Sequence, residues 1–220
     1  GALKALLEAV EIRGGIASGT LEWPDGQPQS NLRRWVSPMT EFTRAARIGL
    51  LGRLFGTEPV DLAPLSERPR AQWVSGACLA IHRTVVDTLG GLDDGFFMYF
   101  EDMDYCRGAV EAGFELSWVP ESRVVHLKGG TSPVQGMAAR REARPEYYYA
   151  ARSRYFVKHY GLLGLVAANL LFDAGSVVAW FRETIGSKEP HLCKRESRDN
   201  WRFVSRARVP WRPQPRLAHD

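Results

Sequence analysis

Phe97-Met98-Tyr99-Phe100-Glu101-Asp102-Met103-Asp104-Tyr105 sets three carboxylates in four positions inside a frame of aromatic and thioether side chains. Aromatic residues at that density favour burial, whereas carboxylates resist it unless they are paired, hydrogen-bonded or close to a cation. Two readings of this acidic knot follow. It is a site where chemistry is done, or it is a helix N-terminus, where acidic side chains lie favourably against the macrodipole.

Downstream, the pattern enters a helix from about Asp102 to Ala112, stopped by Gly113. Phe114 to Val119 alternates like a strand, Pro120-Glu121 is a turn, and Arg123 to His126 is a second short strand that runs into Lys128-Gly129-Gly130-Thr131. Upstream, Leu92-Asp93-Asp94-Gly95 is a turn, Arg83 to Leu89 is a short helix, and Trp73 to His82 reads as one buried strand with Ser75-Gly76-Ala77 at its centre. The chain opens in a helix with Leu3, Leu6, Leu7 and Val10 on one face, and the missing cap leads us to expect further chain before Gly1. Ile16 to Trp23 reads as a strand, Pro24-Asp25-Gly26 as a turn, and Gln27 to Asn31 as a polar run; residues 41–55 are expected to be helical, followed by a Pro-rich connection. Strands alternating with helices give an α/β fold class.

Three cysteines, Cys78, Cys106 and Cys193, lack paired spacing, which points to free thiols in a reducing compartment and away from a disulfide frame or a zinc site. The net charge of +4 is concentrated at the end, where residues 187–220 hold nine Lys/Arg against four Asp/Glu. That basic tail lacks any nucleic-acid-binding motif, so no nucleic-acid partner is expected. From Glu146 aromatics and cations interleave, and Gly161 to Phe181 is almost wholly apolar. The run reaches the ~20 residues of a membrane span, but Asp173 near its middle would be expensive in hydrocarbon. An interfacial or core-packed helix is therefore expected. The division is 1–145, 146–186 and 187–220.

The ordered series Ser75-Gly76-Ala77-Cys78, Gly90-Gly91-Leu92-Asp93, the acidic knot through Arg107, Ala112-Gly113-Phe114, Val119-Pro120 and Val124-Val125-His126 resembles the C-terminal half of the family 2 inverting glycosyltransferases, in their rhamnosyltransferase-like bacterial branch. The resemblance implies the acceptor-side part of a GT-A nucleotide-diphospho-sugar transferase fold, followed by an apolar helix and a basic tail. In the family an N-terminal half carries a DxD motif that holds a divalent metal, Mn or Mg, on the donor diphosphate. No such half is found in this sequence, and Asp102-Met103-Asp104 has DxD spacing but belongs to the acceptor-side knot.

Inverting transfer needs a carboxylate to take the proton of the attacking hydroxyl. The resemblance implies Asp102 as that base and Glu101 as the residue that orients acceptor or donor. It places Trp73, Ser75, Gly76, Ala77, Tyr99 and Asp104 among the substrate-binding residues, while position and i, i+3 spacing make Asp104 also a brace of the helix start with Arg107 as its partner. Lys128, Gly129 and Gly130 would fold over the diphosphate, and His126 would be a metal ligand. The partners implied are a nucleotide-sugar donor and a polysaccharide or lipid-linked glycan acceptor, in cell-envelope glycan synthesis. The expected location is cytoplasmic, peripheral at the inner face of the cell membrane. The competing expectation is a non-catalytic glycan- or membrane-binding remnant.

Overall fold

The computed structural model describes residues 1–29, 31–48, 72–127, 132–186 and 189–205. It is a mixed α/β structure built around one strand, β1 (Ile16–Glu22), which is buried along its whole length. Burial on both faces is what a run of apolar and small residues tolerates. On one side of β1 lies β6 (Leu116–Val125), parallel to it; on the other, β5 (Leu79–Ile81) pairs antiparallel with its start and β2 (Pro28–Gln29) with its end. A separate two-stranded ladder joins β3 (Leu32–Arg33) to β4 (Trp73–Val74).

Helix α1 (Ala2–Arg13) covers one face of the sheet, where Leu6 and Val10 meet Ala17 and Val119. Helices α3 (Arg83–Leu89) and α4 (Glu101–Glu111) cover the other, where Val85, Tyr105, Cys106 and Ala109 pack with Ile16, Leu32 and Val74. Successive residues of β1 point to opposite faces, so Ile16 and Ala17 enter the two different cores. The far side of α4 packs Met103 against Ala151, Tyr155 and Phe156 of α6 (Glu146–Ile185). Each large side chain buried in this way stabilises the fold by about 1.5–3 kcal/mol.

Helix α2 (Pro38–Ala46) starts with a capping box between Ser37 and Thr40 and with Pro38 in its first turn. It crosses α6 so closely that a Cβ on Gly175 would stand 2.5 Å from the Phe42 carbonyl oxygen. Helix α6 is broken at Gly161 (φ 69°, ψ 179°), leaving two helical halves. The short helices α5 (Val134–Ala139) and α7 (Glu196–Arg202) complete the order.

Three local expectations change. Residues 73–82 do not form one strand: Gly76 and Ala77 make a turn between β4 and β5, because the Gly76 N–H is drawn to Asp102. The two short strands expected across 114–126 are one, since Pro120, Glu121 and Ser122 bulge from the ladder while pairing resumes beyond them. A proline is tolerated at such a bulge because no ladder N–H is required there. The bulge also explains Gly19, whose Cβ would fall 2.3 Å from the Ser122 carbonyl oxygen. The helix expected over 41–55 begins earlier, at Pro38, and ends at Ala46; positions 49–71 lie outside the described residues. Part of the basic tail packs on the body. Trp201 donates its indole N–H to Asp173 at 2.8 Å, and Glu196 pairs with Arg44 at 2.8 Å and with Arg144.

Candidate active site

The acidic knot is the N-terminus of α4, and its entry is strained. Tyr99 (φ 72°) and Phe100 (φ 68°) are consecutive left-handed non-glycine residues, each costing of the order of 1–3 kcal/mol. Their surroundings hold them. The Tyr99 hydroxyl donates to Ser132 Oγ at 3.0 Å, and its ring lies parallel to that of Tyr147 at 6.4 Å. Phe100 sits between Tyr148 and Tyr155. The turn into α4 thereby aims Asp102 at the turn after β4.

Asp102 Oδ2 accepts the Gly76 N–H at 2.9 Å, and Oδ1 accepts the Met103 N–H at 2.8 Å. A Cβ on Gly76 would stand 3.1 Å from Asp102 Cβ, so this approach depends on glycine. Burial pushes the Asp102 carboxyl above the usual carboxylate range; the two N–H donors and the Arg33 charge pull against that without cancelling it. Glu101 is raised as well, by burial and then by its neighbour's charge, and its Oε2 is buried without a hydrogen-bond partner among the described residues. Two adjacent carboxylates thus share a partly desolvated niche in which a proton is held more firmly than in water. Cys106, whose thiol burial pushes up to about 12, is an inert packing residue that donates to the Val74 carbonyl.

Asp104 is engaged elsewhere. It is 6% exposed, and its two oxygens meet Lys158 Nζ at 2.6 Å and His159 Nε2 at 2.7 Å. Lys158 and Arg154 also clasp Asp93. The expected Asp104–Arg107 pair is not formed; Arg107 bonds Glu111 and the Tyr155 hydroxyl. The reason is that α4 lies between two layers, and Asp104 faces the cations of α6. Asp104 therefore braces α4 against α6.

Ser75 donates its N–H to the Asn31 carbonyl, and its Oγ accepts the Ala77 N–H at 3.4 Å. Trp73 is half-buried, with its indole N–H on the Arg34 carbonyl and Arg33 over its ring. His126 follows β6, with its N–H on the Glu22 carbonyl and Nδ1 3.0 Å from Gln29 Oε1. Its Nε2 has no hydrogen-bond partner among the described residues, so one imidazole nitrogen fits a divalent cation. Among the described residues no three His, Cys, Asp or Glu side chains gather into a metal-binding group. Lys128, Gly129 and Gly130 lie outside the described residues.

One segment joins these parts, and the sequence reading passed over it as a polar run. Alternate residues of the extended stretch after the Pro24 turn each hold a different element. Gln29 touches His126; Asn31 bonds the Gly19 carbonyl and Ser18 Oγ through its side chain and Ser75 through its backbone; Arg33 lies over Trp73 and faces the Asp102 charge. The period of two is the only signal that could have found it.

Residues 49–148 match the family model described as glycosyltransferase-like family 2. An N-acetylglucosaminyl-diphospho-decaprenol L-rhamnosyltransferase of Mycobacterium tuberculosis is 31% identical over 150 residues, which are 63% of this chain and 47% of that protein. A low-salt glycan biosynthesis hexosyltransferase of Haloferax volcanii is 28% identical over 127 residues, 56% of this chain and 36% of that protein. A rhamnosyltransferase of Escherichia coli is 33% identical over 54 residues, 24% of this chain and 20% of that protein. The chain spans less than half the length of each of these relatives. Motif series, mixed α/β architecture and relatives together support a family 2 glycosyltransferase-like domain of the rhamnosyltransferase-like type.

Proposed function

We propose that this chain is the acceptor side of an inverting glycosyltransferase that moves a sugar, rhamnose or a related hexose, from a nucleoside-diphosphate donor to a glycan or lipid-linked acceptor. The observation that carries this reading is the half-buried Asp102, anchored by the Gly76 N–H and raised in pKa at the start of α4. Asp102 accepts the proton of the acceptor hydroxyl as that oxygen bonds to the anomeric carbon. The bond from the anomeric carbon to the diphosphate oxygen breaks on the opposite face, and the nucleoside diphosphate leaves with the electron pair. A carboxylate so raised holds that proton more readily than an ordinary aspartate. Arg33 keeps Asp102 ionised between turnovers, and Glu101 orients the sugar hydroxyls. When bound, a divalent cation neutralises the departing diphosphate. His126 would be one of its ligands.

The second half of α6 supports a peripheral position at the cytoplasmic membrane face. By length and composition this helix could cross a membrane. Asp173, however, is bonded to Trp201, and Leu165, Ala168, Phe172 and Ala179 are buried against the body. On the opposite side Leu163, Leu170, Val177, Phe181 and Ile185 form an exposed stripe with no charge in it. A face of that kind suits the interface that presents a lipid-linked acceptor.

The deciding experiment uses the whole protein with a nucleoside-diphosphate rhamnose and a polyprenyl-diphosphate-linked sugar. Asp102→Asn should lower turnover by ~10²–10⁴-fold while leaving donor affinity within a factor of two. Turnover close to wild type would remove Asp102 from the role of base.

A further inference from the structure

We propose that Gln29 is a positioning residue that fixes His126 in its Nδ1–H tautomer and so presents a bare Nε2 lone pair for a divalent cation. The inference deepens the proposed reaction and rests on that reading for the identity of the cation, although its geometric part does not.

Gln29 is 3% exposed, at the end of β2. Among the described residues its Nε2 donates to two acceptors, the Glu22 carbonyl at 2.9 Å and the His126 carbonyl at 2.6 Å. Flipping the amide would bring its oxygen against two carbonyl oxygens with no hydrogen between them, so the orientation is forced. Oε1 therefore faces His126 Nδ1 at 3.0 Å, and an amide oxygen can only accept. The proton of a neutral imidazole must then sit on Nδ1, and Nε2 is left as a lone pair.

The backbone supports the same arrangement. The His126 N–H is tied to the Glu22 carbonyl at 2.9 Å, the same oxygen that Gln29 uses. Glu22 and Gln29 lie on paired strands, in register with Leu21 opposite Gln29 and Glu22 opposite Pro28. One amide thus clamps the end of β1, the end of β6 and the imidazole together. A lone pair on Nε2 ligates a cation and cannot donate to a phosphate oxygen, which separates a metal-holding role from a direct diphosphate contact.

The test is long-range ¹H–¹⁵N correlation of the histidine rings in the 220-residue chain, at a pH well above the ordinary imidazole pKa of ~6.5. His126→Asn identifies the signal. The expected pattern for His126 is a protonated Nδ1 and an unprotonated Nε2, with Mn²⁺ alone broadening the Nε2 signal first. Gln29→Leu should move His126 to a majority Nε2–H form and weaken Mn²⁺ broadening at least tenfold in the concentration required. A protonated Nε2 in the wild-type chain overturns the proposal without reference to any variant. A Gln29→Leu chain that folds, judged by unchanged circular dichroism, yet keeps Nδ1–H also overturns it. Because no donor or acceptor is present, a failed transfer assay leaves this result standing, and a wrong tautomer refutes the proposal even where transfer is found.

Discussion

Replacing Glu41 by Gln removes one negative charge from a buried cluster that joins α2, α6 and α7. Glu41 is 4% exposed; its Oε2 accepts from Arg152 Nε at 3.1 Å, from Arg152 Nη2 at 2.9 Å and from Arg44 Nη2 at 2.9 Å. Arg152 is 1% exposed, and its other partner is the neutral Asn169 Oδ1 at 2.8 Å. Burial alone would raise the Glu41 carboxyl, but Arg152 and Arg44 hold it down to about 2 from an ordinary 4.5. At ~1.4 kcal/mol for each pKa unit, that depression corresponds to about 3 kcal/mol of stability. Breaking a buried ion pair from one side costs about 3–5 kcal/mol, so two independent routes give the same size. Urea unfolding of Glu41→Gln at neutral pH should show stability lowered by about 3 kcal/mol. The sign with pH follows from the depressed carboxyl. Its contribution is complete above the unfolded value of ~4.3 and is lost as pH falls through about 2, so the two proteins should converge across that window. A loss below ~1 kcal/mol, the size of a surface pair, or a difference that does not change with pH, would show that this buried cluster does not hold the helices together electrostatically.

Three further outcomes are expected. The turnover rate of the whole protein should fall off on the acid side at a pH above the ordinary aspartate value of ~3.9, because Asp102 is raised and must be ionised to act; a rate that is flat down to that value would contradict it. Gly76→Ala should push on Asp102 Cβ at 3.1 Å and lower turnover at least tenfold, with donor affinity and thermal midpoint nearly unchanged. A triple change of Leu163, Leu170 and Val177 to Lys should abolish flotation with vesicles containing anionic phospholipid; unchanged flotation would detach the stripe from membranes.

Much of the candidate site was legible because its parts are contiguous. The acidic knot and the small residues at 75–77 stand out within a few positions, whereas His126 was singled out by the family resemblance alone. What was hidden depends on partners far along the chain. The 73–82 run looks like one strand because its residues are small and apolar throughout; only the Asp102 oxygen, 26 positions away from Gly76, bends it into a turn. Pro120 reads as the end of a strand because proline cannot donate to a ladder, yet a three-residue bulge lets β6 continue past it. Asp104 and Arg107 have the spacing of a helical pair, but Lys158 and His159 approach from another layer and win the carboxylate. Gln29, Asn31 and Arg33 escaped because their alternation is polar, and a hydrophobic pattern is what periodicity detects.

The central position of β1 carries a kinetic consequence. Its partners β5 and β6 begin about 65 and 100 positions further along, with Ile16 facing Ile81 and Leu116. Pairings that distant close large loops before any contact rewards them, so the sheet should form slowly, on the ms–s scale of non-local topologies. During synthesis the strand Ile16–Glu22 emerges long before β6 exists to cover it. Until about residue 125 has left the ribosome, this chain carries an unpaired apolar edge, and its yield will depend on what shields that edge.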